Sequence, residues 1–239
     1  MLKTLGMISA TAALVASMAG ADANSVYTLS VQQVPEGAAA KVAVTRAGFL
    51  NSVQQQNGLT EDNNFVSFFT FPTPPEQTVI VGFTEWESGK ALAAAQKNVM
   101  GNPAAGAYMQ AVDMQALLAL VTADGSKFEL SEMISDPDTV IEFAVRRPKE
   151  GMEEAFVEKR KAFFDAVSQQ PGHLFSQEFV MPEGAAELIG KGTDWTAVLI
   201  GWDSAAAYQT ALGALGQQPE FGAFQGTIEA LTYHATVPQ

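Results

Sequence analysis

Residues 196–204 read Thr-Ala-Val-Leu-Ile-Gly-Trp-Asp-Ser, and residues 80–88 read Ile-Val-Gly-Phe-Thr-Glu-Trp-Glu-Ser. In both stretches an apolar run ends at a tryptophan, an acidic residue follows, and a serine stands where a helix could begin. Strands run on apolar stretches of this length, and serine is a preferred helix N-cap. The two stretches lie 116 positions apart, Trp86 on Trp202. The correspondence continues outward. Ala91 and Ala95 fall on Ala207 and Ala211, and Pro103, Gly106 and Ala107 on Pro219, Gly222 and Ala223. Upstream the offset becomes 114: Tyr27, Leu29 and Val31 fall on Ile141, Phe143 and Val145, and Gly58 on Gly172. Ordered agreement of this kind is the signature of an internal duplication.

Each copy predicts one order of elements. A first strand (Val26–Val34; Thr139–Arg146) alternates with period two. An amphipathic helix follows, with Val42, Phe49, Leu50 and Val53 in one copy and Phe156, Phe163, Phe164 and Val167 in the other at i, i+7, i+8 and i+11. Asn57-Gly58 and Pro171-Gly172 stop these helices. Second strands (Phe65–Phe71; Leu174–Val180) and third strands (Val79–Trp86; Thr196–Trp202) precede helices capped by Ser88 and Ser204. Last strands span Ala111–Val121 and Thr227–Val237. The order β-α-β-β-α-β is the ferredoxin-like unit. The expected fold class is α+β: two fused ferredoxin-like units, 24–121 and 139–239, forming one pseudo-dimeric α/β barrel. On the second strand Phe65, Phe69 and Phe71 should point one way, Val66 and Phe68 the other. Residues 122–138 read as a linker with Asp124-Gly125 and Asp136-Pro137, carrying a short strand at Phe128–Leu130.

Residues 1–23 read as a secretory signal. Lys3 is the lone early charge, Leu5–Val15 is apolar, and Ala21-Asp22-Ala23 supplies small residues for cleavage. The expected destination is periplasmic or secreted, with no membrane anchor after cleavage. The chain has 239 residues, no cysteine, two histidines and a net charge of −13. That charge opposes phosphate backbones, so no nucleic-acid partner is expected. Absent cysteines exclude disulfides, thiolate metal sites and thiol nucleophiles. Two histidines do not make a multi-histidine metal centre, and no metal is expected. Glycine-rich phosphate loops, G-x-S-x-G and H-E-x-x-H do not occur.

The pattern resembles the antibiotic-biosynthesis-monooxygenase-like family of dimeric α+β barrels, here in tandem. The resemblance rests on Pro171-Gly172, Gly201-Trp202-Asp203-Ser204 and Pro219-Glu220-Phe221, echoed by Glu85-Trp86-Glu87-Ser88 and Asn102-Pro103. It implies a cavity between sheet and helices, lined by the tryptophan that ends the third strand. Trp202 and Trp86 match that position. The family includes cofactor-free oxygenases of phenolic polyketides, quinol oxygenases and haem-degrading enzymes. The haem-degrading branch uses an asparagine on the first strand and a histidine on the second helix. Neither residue stands in those segments here, which argues against haem degradation.

The remaining candidates follow from chemistry. His173, after the Pro171-Gly172 turn, and His234, on the last strand, are candidate general bases for a phenolic or enolic proton. Each has a structural alternative, His173 as a solvated turn residue and His234 as a hydrogen-bonded one. Alternation places Thr232, His234 and Thr236 toward the space between the two sheets. The first strands carry polar faces, Thr28, Ser30 and Gln32 in one copy and Glu142 and Arg146 in the other. Trp202, Tyr233, Trp86 and Arg146 are the candidate substrate-binding residues: aromatic rings to stack, and a guanidinium for a carboxylate or phosphate. Two functional readings follow. One is a cofactor-independent, monooxygenase-like protein acting on a small aromatic or polyketide-like compound. The other is a non-catalytic ligand-binding or interaction protein of the same fold. A monomer or homodimer with a small hydrophobic ligand is expected.

Overall fold

The computed structural model describes residues 25–71, 78–134, 136–182 and 194–238; the expected leader at 1–23 lies outside them. Eight strands appear in chain order: β1 (Val26–Gln33), β2 (Leu59–Phe71), β3 (Val79–Trp86), β4 (Asp113–Thr122), β5 (Val140–Pro148), β6 (His173–Val180), β7 (Thr196–Trp202) and β8 (Ile228–Pro238). The helices among the described residues are α1 (Ala39–Gln54), α2 (Gly89–Met100), α3 (Pro103–Met109), α4 (Leu130–Met133), α5 (Glu153–Val167), α6 (Ala205–Leu215) and α7 (Pro219–Gln225). All strand pairs are antiparallel. They close an α+β barrel in the order β1-β3-β2-β8-β5-β7-β6-β4. Read from β4, the first four strands run β4-β1-β3-β2 and the second four β8-β5-β7-β6.

Local chemistry explains why the halves build alike. Gly58 and Gly172 adopt positive φ, +81° and +79°. A Cβ at either would lie 2.5 Å and 2.4 Å from Ala91 and Ala207, at the start of the next helix, so only glycine fits. Their carbonyls accept from the backbone N–H of Glu87 and Asp203, both at 2.8 Å. Ser88 and Ser204 then cap α2 and α6, accepting from Ala91 and Ala207 at 3.2 Å each.

The barrel interior is a packed apolar core. Tyr27, Leu29 and Val31 of β1 and Ile141, Phe143 and Val145 of β5 point inward, with Phe65, Phe83 and Phe179 filling the middle. The intervening residues of β1 and β5 face the helices. The two seams between halves differ. β2 pairs with β8 from Phe65 to Phe71, whereas β4 meets β6 only at Val121–Val180 and Thr122–Phe179.

Three local expectations are corrected. Phe128–Leu130 forms no strand. The Tyr27 hydroxyl donates to the Phe128 carbonyl and accepts from its N–H, and Glu61 accepts from Leu130 N–H. With their backbone groups taken by side chains, these residues lead into α4 instead. β2 starts at Leu59 rather than Phe65, because it follows β3 from Trp86 onward. Phe65, Phe69 and Phe71 do not share a face. A bulge between Ser67 and Phe69 shifts the register. Phe65 stays in the barrel, and Phe69 and Phe71 turn outward to the helices of the second half.

Candidate functional site

Among the described residues, each half holds a cavity between its sheet and its helices. The first, about 180 Å³, is lined by Thr28, Ser30, Gln32, Thr84, Trp86 and Leu92 among others. The second, about 410 Å³, is lined by Glu142, Arg146, Trp202, Tyr208, Tyr233 and a wall of phenylalanines. The second lies within the usual range for a small-molecule site.

The second cavity is built around Glu142. This carboxylate points from β5 toward the helices, 9% exposed. Its Oε2 accepts from the Trp202 indole N–H at 3.0 Å. It also shares a hydrogen bond with Tyr233, whose hydroxyl donates to Tyr208 at 3.0 Å. Burial pushes its pKa up to about 7, against the lowering effects of Trp202, Tyr233 and Arg146. Burial also raises Tyr208, to about 12, and Tyr233 well above the ordinary phenol value. Both hydroxyls therefore stay protonated at neutral pH. Glu142 alone changes charge near pH 7, which suits a general base or acid.

At the other end of the same strand face stands Arg146, 2% exposed. One of its amino groups donates to Glu178 at 2.7 Å, and Glu178 also holds Arg160 at 3.2 Å. The guanidinium lies 5.1–5.7 Å from the ring centres of Phe156, Phe164 and Phe224. Burial lowers its pKa to about 10, so it remains cationic. Phe69 and Phe71, at the end of β2 in the first half, line the outer wall. Phe69 packs edge-on to Tyr233, and Phe68 edge-on to Tyr208.

Of the expected site residues, the structure brings Trp202, Tyr233 and Arg146 into the second cavity and places Trp86 in the first. Neither histidine lines either of these two cavities. His234 does face the space between the sheets, as alternation indicates, paired with Phe143 and Thr70. That space is packed core. His234 is fully buried, its ring nitrogens have no hydrogen-bond partner among the described residues, and burial lowers its pKa to about 4. A neutral imidazole so enclosed reaches no ligand in either cavity. His173 accompanies Trp202 edge-on at 5.7 Å, and its Nε2 and the Ser176 hydroxyl are 2.8 Å apart. Its pKa is lowered, chiefly by burial. It stands behind the indole rather than in the cavity.

Glu142 has the charge change near neutrality for which the histidines were singled out in the sequence. Its sequence signal was present: a charged residue inside the apolar run Val140–Val145 of β5, four positions before Arg146 on the same face. The missing information was burial, which converts an ordinary carboxylate into one that titrates near neutrality. Neither cavity presents an imidazole to a haem iron. Among the described residues no group of three or more His, Asp or Glu gathers closely enough to hold a metal, and no helix is long and apolar enough to cross a membrane.

No protein-family model matches the chain, and no curated protein matches it. Solved structures do. An anthrone oxidase-like protein superposes with TM-score 0.62 at 14% identity, covering 90% of this chain and 92% of that one. A Fusobacterium nucleatum protein, provisionally named a monooxygenase, superposes with TM-score 0.56 at 10% identity, covering 90% and 93%. Chlorite dismutase from Candidatus Nitrospira defluvii superposes with TM-score 0.53 at 10% identity, covering 91% and 92%. The likeness spans essentially the whole of each chain, and at these identities it establishes a shared α+β barrel fold. The resemblance to monooxygenase-like barrels expected from the tryptophan motifs thus holds at the level of fold.

Proposed function

We propose that this protein is a monooxygenase-like enzyme that oxidises a small phenolic or polyketide-like compound in the second cavity without a bound cofactor. One observation carries the reading: a buried carboxyl group, Glu142, held by Trp202 and Tyr233 against an aromatic cavity of about 410 Å³. Ionised Glu142 takes a proton from an acidic C–H or phenolic O–H of the substrate. The resulting anion is electron-rich enough to give an electron to dioxygen. Recombination forms the C–O bond, and loss of water leaves a ketone or quinone. Overall a methylene and O₂ become a carbonyl and H₂O. Trp202 and Tyr233 orient the ring while the Tyr208 hydroxyl supplies a neutral hydrogen-bond donor.

The chain is read as a duplicated ferredoxin-like unit, supported by the matching strand orders and the paired Gly–Ser devices. A single chain then builds the barrel, as a monomer or within a homodimer. The leader-like residues 1–23 support a periplasmic or secreted location.

Anthrone is the direct probe. Oxygen consumption with formation of anthraquinone is expected for the wild type, and Glu142→Gln should lower kcat by roughly 10²–10⁴-fold, the usual contribution of a positioned base. Absence of oxygen uptake, or uptake unaffected by Glu142→Gln, would overturn the reading.

A further inference from the structure

The second cavity has two chemically different poles. Glu142 and Arg146 lie four residues apart on one face of β5, about 13 Å along a strand that rises roughly 3.3 Å per residue. Aromatic side chains line the space between them. At the Arg146 pole two guanidinium groups share one carboxylate, Glu178 Oε1. That leaves an excess of positive charge inside a protein whose net charge is −13. The Nε–H of Arg146 is buried and has no acceptor among the described residues. Unpaired buried donors are uncommon and costly, more so when charged.

The first cavity supplies the control. Gln32 stands where Arg146 stands, and its amide is satisfied locally: it donates to Ser30 at 2.7 Å and accepts from the Tyr108 hydroxyl. Trp86 donates to Thr84 at 3.0 Å, and Thr84 is hydrogen-bonded to Thr28. That strand face closes on itself; the unpartnered group of the first cavity is a neutral acceptor on the helix side, Gln96 Oε1. The second leaves a buried cationic donor without an acceptor, on a side chain that lines its cavity.

We propose that the ligand of the second cavity is an elongated aromatic acid whose carboxylate or equivalent anionic oxygen meets Arg146 while its hydroxyl or acidic C–H end meets Glu142. The proposal rests on the second cavity being the substrate site, and it fixes the substrate's class and direction of entry. Arg146 is then a specificity residue. It accepts the anion, the phenyl rings around it keep water from competing, and the reacting end lies at the opposite pole. A neutral analogue of the same shape fills the cavity but leaves the Nε–H unpaired.

The test compares 6-hydroxy-2-naphthoic acid with its methyl ester, followed by ring fluorescence and calorimetry at pH 7 on the full-length protein. The wild type should bind the acid at least tenfold more tightly than the ester. Arg146→Met should abolish that preference while ester affinity changes less than about threefold, and the retained ester binding reports an intact cavity. Arg146→Lys keeps the charge without the Nε–H and should retain only part of the preference. Equal affinity for acid and ester in the wild type overturns the proposal. So does a preference that survives in Arg146→Met, or failure of the wild type to bind either probe. The wild-type comparison decides the matter even if a variant does not fold. Oxygen uptake with anthrone, which has no carboxylate, is measured in parallel. An acid preference without oxygen uptake would remove the enzymatic reading and leave this assignment standing.

Discussion

The two cavities lie in equivalent places and differ in what their polar groups need. At the sequence position of Glu142 the first half has Thr28, and at that of Arg146 it has Gln32. Trp86 and Trp202 occupy the same strand end, yet they donate to different partners. Trp86 reaches Thr84 on its own strand, whereas Trp202 reaches across to Glu142 on β5. Tyr208 and Tyr233 correspond to Leu92 and Leu117. The strand face of the first cavity therefore carries neutral hydroxyl and amide groups that are satisfied within the protein, although Asp62 and Gln96 also line that cavity and the Gln96 side-chain oxygen has no partner among the described residues. The second has a carboxyl that titrates near neutrality, a cation, and more than twice the volume. The shared scaffold comes from paired glycines and serine caps. The difference in chemistry comes from a few substitutions on one strand face and its surroundings.

Activity gives the widest separation. Glu142→Gln should reduce anthrone oxidation by roughly 10²–10⁴-fold, whereas Thr28→Val, at the matching position, should leave it within twofold. A comparable loss in Thr28→Val, in an oxygen-electrode assay, would break the asymmetry.

The pH dependence of stability should reveal Glu142 and His234 as opposites. The folded pKa of Glu142 is raised, from the ordinary 4.5 to about 7. Its contribution is complete below about pH 4.5 and is lost as pH rises through 7. The folded pKa of His234 is lowered, from 6.5 to about 4. Its contribution is complete above about pH 6.5 and is lost as pH falls through 4. Each is worth roughly 3 kcal/mol over its window, and in the wild type they largely cancel between pH 4.5 and 6.5. Relative to the wild type, Glu142→Gln should therefore gain stability as pH rises across this interval. His234→Leu should lose it. Urea denaturation at a series of pH values measures both slopes, and identical slopes in all three proteins would contradict the account.

Replacing the indole donors should separate the halves less widely. Trp202→Phe strips a donor from a buried carboxylate and should cost about 1–3 kcal/mol beyond the packing loss common to both sites. Trp86→Phe removes a neutral hydrogen bond to a hydroxyl that keeps Thr28 and should cost about 1 kcal/mol. The rate profile of Trp202→Phe should also move to higher pH, because Glu142 loses a bond that favours its ionised form. Where the halves agree, so should their variants. Ser88→Ala and Ser204→Ala should each cost about 1 kcal/mol of thermal or chemical stability, equal within error.

Much of the scaffold could be read from residues alone because it depends on local rules. A glycine pressed against the next helix, a serine cap after a tryptophan-ended strand and period-two alternation all leave marks in sequence. The exceptions arose from contacts distant along the chain. The β2 bulge that sends Phe69 and Phe71 into the other half's cavity is set by pairing with β8. Phe128 and Leu130 lost their expected strand to the Tyr27 hydroxyl and the Glu61 carboxylate. Trp202, Tyr233 and Arg146, which line the second cavity, were legible from type and position. The base was not. A histidine's charge change near neutrality is visible in its identity, and this drew attention to His173 and His234. A glutamate acquires that property only through burial, which depends on tertiary packing.

The most direct test is the pH–rate profile of anthrone oxidation in the wild type, Glu142→Gln and Trp86→Phe, on one preparation series. The account predicts a rate that rises through an apparent pKa near 7 in the wild type, the same profile in Trp86→Phe, and no such limb in Glu142→Gln. A limb that persists in Glu142→Gln, or one lost in Trp86→Phe, would contradict the placement of the chemistry in the second cavity.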